Sequence, residues 1–159
     1  MPANGISPDK LPPQNIEAEK SVLGSLLLDK ESVNRIVDFL NPEDFYSRNH
    51  QIIFENVIAL YEKREPIDLL NLSNKLKNAG QLDTIGGIGY LTTLVNSVPT
   101  AAHIVSYGKI VQRKKILRDL IDSAHNIIGM GYQEDEDVES LLDQAEQKLF
   151  SVSQRTIQQ

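Results

Sequence analysis

The 159-residue chain contains no cysteine, which excludes disulfides and thiol chemistry and fits a reducing compartment. No apolar run approaches the roughly 20 residues of a membrane span, and no signal-peptide pattern opens the chain. Strict apolar–polar alternation is absent over any strand-length window, so nothing signals β-structure. No repeat of fixed period occurs. The expectation from these absences is an all-α, soluble, cytoplasmic protein. Hydrophobic residues make up 40 % of the chain, within the globular range once glycine is added, so a core can be buried. A net charge of −6 argues against a surface that grips nucleic acid throughout, though local basic patches remain.

Catalytic patterns are missing too. Gly86, Gly87 and Gly89 follow no strand, and no Gly-Lys-Ser/Thr stands at phosphate-loop spacing behind them. Gly108-Lys109 is followed by Ile110 inside a helical pattern, so it is no phosphate loop either. His50, His103 and His125 are too scattered to ligate one metal. The run Glu134-Asp135-Glu136-Asp137 lacks the spaced ligands and central glycine of a calcium loop and reads as a solvated turn before a helix. No serine or threonine sits in a nucleophile elbow. The expectation is no catalytic residue, no metal and no cofactor site.

The helical pattern starts where a proline-studded lead-in ends. Residues 1–11 read as a flexible arm and residues 12–99 as a small globule of about five helices. Asn15 is the expected N-cap of the first, with Glu17 and Glu19 in its first turn and Ala18, Val22, Leu23, Leu26 and Leu27 on its apolar face. Gly24 lies inside that face, at a cost in propensity of up to about 1 kcal/mol, and implies a closely packed neighbour. Val33, Ile36, Val37 and Leu40 suggest a second helix stopped by Asn41-Pro42. The aromatics of the turn that follows, Phe45 and Tyr46, are expected to tuck into the core. Ile52, Ile53, Val57, Leu60 and Tyr61 mark a third helix. Asp68 is the expected N-cap of a fourth, with Leu69, Leu72 and Leu76 inward and Gly80 at its end. Ile88, Leu91, Leu94 and Val95 make a short fifth, closed by Pro99.

Residues 100–152 then read as a long antiparallel helical hairpin. Its first helix runs from an N-cap at Thr100 to about Gly129, and a return helix carries Val138, Leu141, Leu142, Ala145, Leu149 and Val152. Residues 153–159 are polar and read as the start of a linker. At about 100° per residue, Ile110, Leu117, Ile121, Ala124 and Ile128 form one stripe on the long helix, widened by Ile116, Leu120 and Ile127. One return helix covers one stripe, so the surplus must meet the globule or another chain. The self-association set is therefore Ile110, Leu117, Ile121, Ala124 and Ile128 with Leu141, Leu142, Ala145 and Leu149. A second protein partner is expected on Ile116, Leu120, Ile121 and Ile127, with Arg118 beside them and Glu17 and Tyr90 on the globule adding charge and an aromatic. The basic run Lys109, Arg113, Lys114, Lys115 and Arg118 offers an alternative, nucleic-acid contact. No aromatics interleave with it, and pairs such as Lys115–Asp119 and Arg118–Asp122 suit a solvated helix face.

The order of residue types carries a resemblance as well. Pro12-Pro13-Gln14-Asn15-Ile16-Glu17-Ala18-Glu19, Pro42-Glu43-Asp44-Phe45-Tyr46, His50-Gln51-x-Ile53-Phe54 and Pro66-Ile67-Asp68-Leu69 follow one another. Gly86-Gly87-x-x-Tyr90-Leu91, Val98-Pro99-Thr100-Ala101-Ala102 and the helix from Ile110 to Ile121 complete the series. From about Leu11 to Gln154 the chain resembles the N-terminal domain of the bacterial replicative DNA helicase, the DnaB family. The resemblance implies an all-α globule with a helical hairpin that pairs with its own kind into a trimer-of-dimers collar. It implies the primase as docking partner and a helicase loader as a further candidate. DNA contacts, ATP and magnesium would belong to a RecA-like motor domain with no counterpart here. His103 and Gly108 depart from the family pattern.

Overall fold

The computed structural model describes residues 10–157, so all but Lys10 and Leu11 of the expected arm, and the last two residues of the expected linker, lie outside the described residues. Helices α1 (Ile16–Leu28), α2 (Arg48–Glu62), α3 (Leu69–Asn78) and α4 (Gly87–Asn96) build the globule. Helices α5 (Ile104–Gly131) and α6 (Val138–Ile157) build the hairpin. No strand occurs among the described residues, which makes the fold all-α.

Helix α1 is central. Asn15 Oδ1 accepts the Ala18 N–H at 3.0 Å and so supplies one of the bonds that a helix start cannot make internally. Val22, Leu23 and Leu26 are fully buried. Gly24 has the neighbour its position implied: a Cβ there would stand 2.1 Å from the Leu94 carbonyl oxygen. Helices α1 and α4 therefore touch backbone to backbone at that point. Asp68 caps α3 through the Asn71 N–H at 2.8 Å, and Gly80, at φ +70°, lets the chain turn away behind it.

Four expectations need correction. The pattern at Val33, Ile36, Val37 and Leu40 is realised as a 3-10 helix (Lys30–Arg35) and a turn rather than an α-helix. Asp29 caps the Glu31 N–H while Ser32 bonds the carbonyls of Asp29 and Ser25, and these local bonds compete with α-helical pairing. Of the two turn aromatics only Phe45 enters the core; Tyr46 is exposed. Ile88 points outward, leaving Leu91 and Leu94 to fill the core. Thr100 closes a turn onto the Ala102 N–H rather than capping α5, which starts at Ile104.

The division into globule and hairpin is not sharp. Ile104, Gly108, Val111 and Gln112 are buried, so the first turns of α5 belong to the globule core. Gly108 allows it: a Cβ at that position would meet the Phe39 ring at 3.1 Å. At the other end, residues 153–157 continue α6 instead of opening a linker.

Candidate interaction surface

Past Gln112, helix α5 projects from the globule with only α6 beside it. Asp137 Oδ2 accepts the Ser140 N–H at 3.1 Å and starts α6 after the acidic turn. On α6 the half-buried residues Leu141, Ala145, Lys148 and Val152 recur at helical spacing and mark the strip that meets α5. On α5 the corresponding half-buried residues are Ile116, Ser123, Ala124, Ile127 and Met130. One edge of this seam is a polar groove lined by Asp119, Asp122, Ser123 and Asn126 against Lys148 and Ser151.

The other edge is apolar and uncovered. Leu117 (40 % exposed), Leu120, Ile121 and Ile128 (51 %) remain open on α5, as do Leu142 and Leu149 (46 %) on α6. By helical geometry both sets lie on the side of the seam opposite the polar groove, so two antiparallel helices present one apolar face. Of the expected self-association set, Leu117, Ile121, Ile128, Leu142 and Leu149 are exposed on this face. Ala124 and Ala145 are half-buried at its centre, and Leu141 turns into the seam. Ile110 packs against the globule core. Tyr132, Val138 and Phe150 are also open and were not singled out by periodicity; Tyr132 lies in the turn, where periodicity has no meaning.

The expected partner set divides. Leu120 and Ile121 are exposed, and Ile116 and Ile127 are half-buried against α6. Arg118 is spent inside the molecule. It donates to the Pro13 carbonyl at 2.8 Å and the Asp44 carbonyl at 2.9 Å, with its guanidinium 5.4 Å from the Tyr46 ring centre. The expected Arg118–Asp122 pair is therefore not made, whereas Lys115 and Asp119 meet at 2.8 Å. Glu17 is exposed. Tyr90 is half-buried, and its hydroxyl lies 2.5 Å from His50 Nε2.

Two polar networks fix the frame on which this surface is mounted. Glu19, 1 % exposed, accepts the Tyr46 N–H at 2.7 Å and contacts His50 Nδ1 at 2.8 Å. Because a carboxylate only accepts, Nδ1 carries the hydrogen, and a neutral ring then offers Nε2 to the Tyr90 hydroxyl. Burial, then the charges of Glu19 and Glu17, push the Tyr90 hydroxyl above the usual phenol range. The second network joins the far end of the hairpin to the globule. Arg155 reaches the fully buried Asp44 with both guanidinium nitrogens, at 2.5 Å to each carboxylate oxygen. That hydrogen bond holds the Arg155 guanidinium above its usual range against the opposing effect of burial. Both networks span dozens of residues in sequence, and no local signal announces them.

The fold and this surface define the class: an all-α domain built as a globule with a projecting helical hairpin. Its sequence matches the DnaB-like helicase N terminal domain over residues 11–113, and the chain belongs to that family. It is 46 % identical over 147 residues to the replicative DNA helicase DnaC of Bacillus subtilis, covering 92 % of this chain and 32 % of that protein. To the replicative DNA helicase DnaB of Geobacillus stearothermophilus it is 42 % identical over the same lengths. The N-terminal domain of DnaB helicase from Mycobacterium tuberculosis superimposes with a TM-score of 0.84 at 37 % identity, over 89 % of this chain and 99 % of that one. A DnaB-like replicative helicase studied for its interactions with primase gives 0.73 at 26 % identity, over 87 % of this chain and 31 % of that one. The chain thus spans 32 % of the length of the curated relatives it matches. The match is to the non-catalytic N-terminal domain, and the 159 residues hold no motor domain. No described helix is long and apolar enough to cross a membrane.

Proposed function

We propose that the chain is the collar module of a cytoplasmic replicative helicase, joining protomers to one another and docking primase without catalysis of its own. The observation that carries this reading is the uncovered apolar face of the hairpin. Six large side chains stand in water there, on a platform held rigid by the Asp44–Arg155 ion pair. Burying each against a partner is worth roughly 1.5–3 kcal/mol. ATP, magnesium and most DNA contacts are assigned to the parent protein's motor domain, and a helicase loader is a further candidate partner.

The alternative reading, a nucleic-acid contact through Lys109 to Arg118, is weakened by where those side chains go. Lys109 lies over the Phe39 ring at 4.1 Å, Lys115 is paired, and Arg118 is bound to backbone carbonyls. Only Arg113 and Lys114 are left for phosphates. A single-stranded DNA titration in salt separates the readings, since phosphate contacts give a steep salt slope.

Primase docking is tested by calorimetry with the primase C-terminal helical domain. Ile121→Ala and Ile127→Ala should each weaken binding by about 1–2 kcal/mol while helical circular dichroism holds. Unchanged affinity would move the docking site elsewhere, and unfolding of the hairpin would make the stripe an intramolecular core.

A further inference from the structure

The hairpin is polarised in charge along its length. Lys109, Arg113, Lys114, Lys115 and Arg118 crowd the base of α5, and no lysine or arginine occurs from Asp119 to Gln147. The tip within that span carries Glu134, Asp135, Glu136 and Asp137, with Tyr132 82 % exposed beside them. Arg113 and Lys114 are the two base cations left over, and among the described residues neither forms an ion pair. They line a shallow cleft with Asn15, Ile110 and Leu117.

We infer that this cleft receives the acidic hairpin tip of a second copy of the chain, and that the charge pattern sets the register in which two hairpins pair. This register rests on the self-association proposed above and adds its geometry. In a twofold pairing, if residue i meets residue j of the partner, then j meets i. An antiparallel pairing with Leu117 opposite the partner's Ile128 places Ile121 opposite the small Ala124. The same register puts Arg113 opposite Tyr132, with its guanidinium in reach of an aromatic face. Ile110 and Lys109 then stand opposite Asp135 and Glu136. The rise of about 1.5 Å per residue makes base and tip some 30 Å apart on one α5, so each is out of reach of its own counterpart and in reach of the partner's. A competing register, Ile110 opposite Ile128, keeps the apolar contacts. It sets the acidic tip against residues 101–104, which carry no lysine or arginine. Apolar packing alone accepts either arrangement; the charges select the first, as opposed charges select orientation in paired helices.

The test is a charge swap read by sedimentation equilibrium. One variant carries Arg113→Glu and Lys114→Glu, the other Asp135→Lys and Glu136→Lys. All four positions are on the surface, and circular dichroism verifies the fold. Alone, each variant should dimerise at least about tenfold more weakly than the unmutated chain, because like charges meet twice. Mixed, they should form a heterodimer close to the original affinity, because opposite charges meet twice again. The unmutated dimer should also weaken about tenfold between 50 mM and 500 mM salt, a measurement that needs no variant. If both variants dimerise as well as the unmutated chain and salt has no effect, the register is wrong although pairing through Leu117 stands. An unmutated chain that stays monomeric defeats the pairing and the register together.

Discussion

At Gly24 a single missing methyl group decides how two helices meet. Its absence lets the Leu94 carbonyl approach to where a Cβ would stand 2.1 Å away. Gly24→Ala should therefore push α4 off α1, and the gain in helix propensity of about 1 kcal/mol does not offset that overpacking. The expected net loss is about 1–2 kcal/mol in urea unfolding; equal or greater stability would show that the contact relaxes freely. This site was legible in the sequence, since a glycine that weakens an apolar helical stripe marks a place where another backbone comes close. Arg118 was not. Its spacing to Asp122 suits a helical ion pair, yet its partners are carbonyls at Pro13 and Asp44, more than 70 residues away. A helix-surface rule sees only neighbours three or four positions apart.

Among the elements, those with long periodic patterns and a capping residue were readable: α1 behind Asn15, α3 behind Asp68, and both arms of the hairpin. The segment from Val33 to Leu40 has helical spacing and forms a 3-10 helix and a turn, because spacings of three and four do not distinguish those geometries over so few residues. The end of α6 was misread for a related reason. Residues 153–157 are polar, but polarity there reflects an exposed face, while Arg155 anchors the helix on Asp44. Removing that arginine strands a carboxylate with no exposed surface. Arg155→Ala should cost about 3 kcal/mol, and amide hydrogen exchange should rise in the last turns of α6. Unchanged protection in those turns would mean that seam packing alone holds the helix.

For the whole molecule, the central claim is that the hairpin's open apolar face is an assembly surface. Helical periodicity already pointed to more apolar surface than one return helix could cover, and the structure leaves that surplus on one side of the seam. The direct measurement is sedimentation velocity of the unmutated chain and of Leu117→Asp from low to high micromolar concentration. The account predicts a concentration-dependent species of twice 17.8 kDa that is lost in Leu117→Asp while helical circular dichroism is retained. A 17.8 kDa species throughout the range for the unmutated chain, or a dimer indifferent to Leu117→Asp, would contradict it.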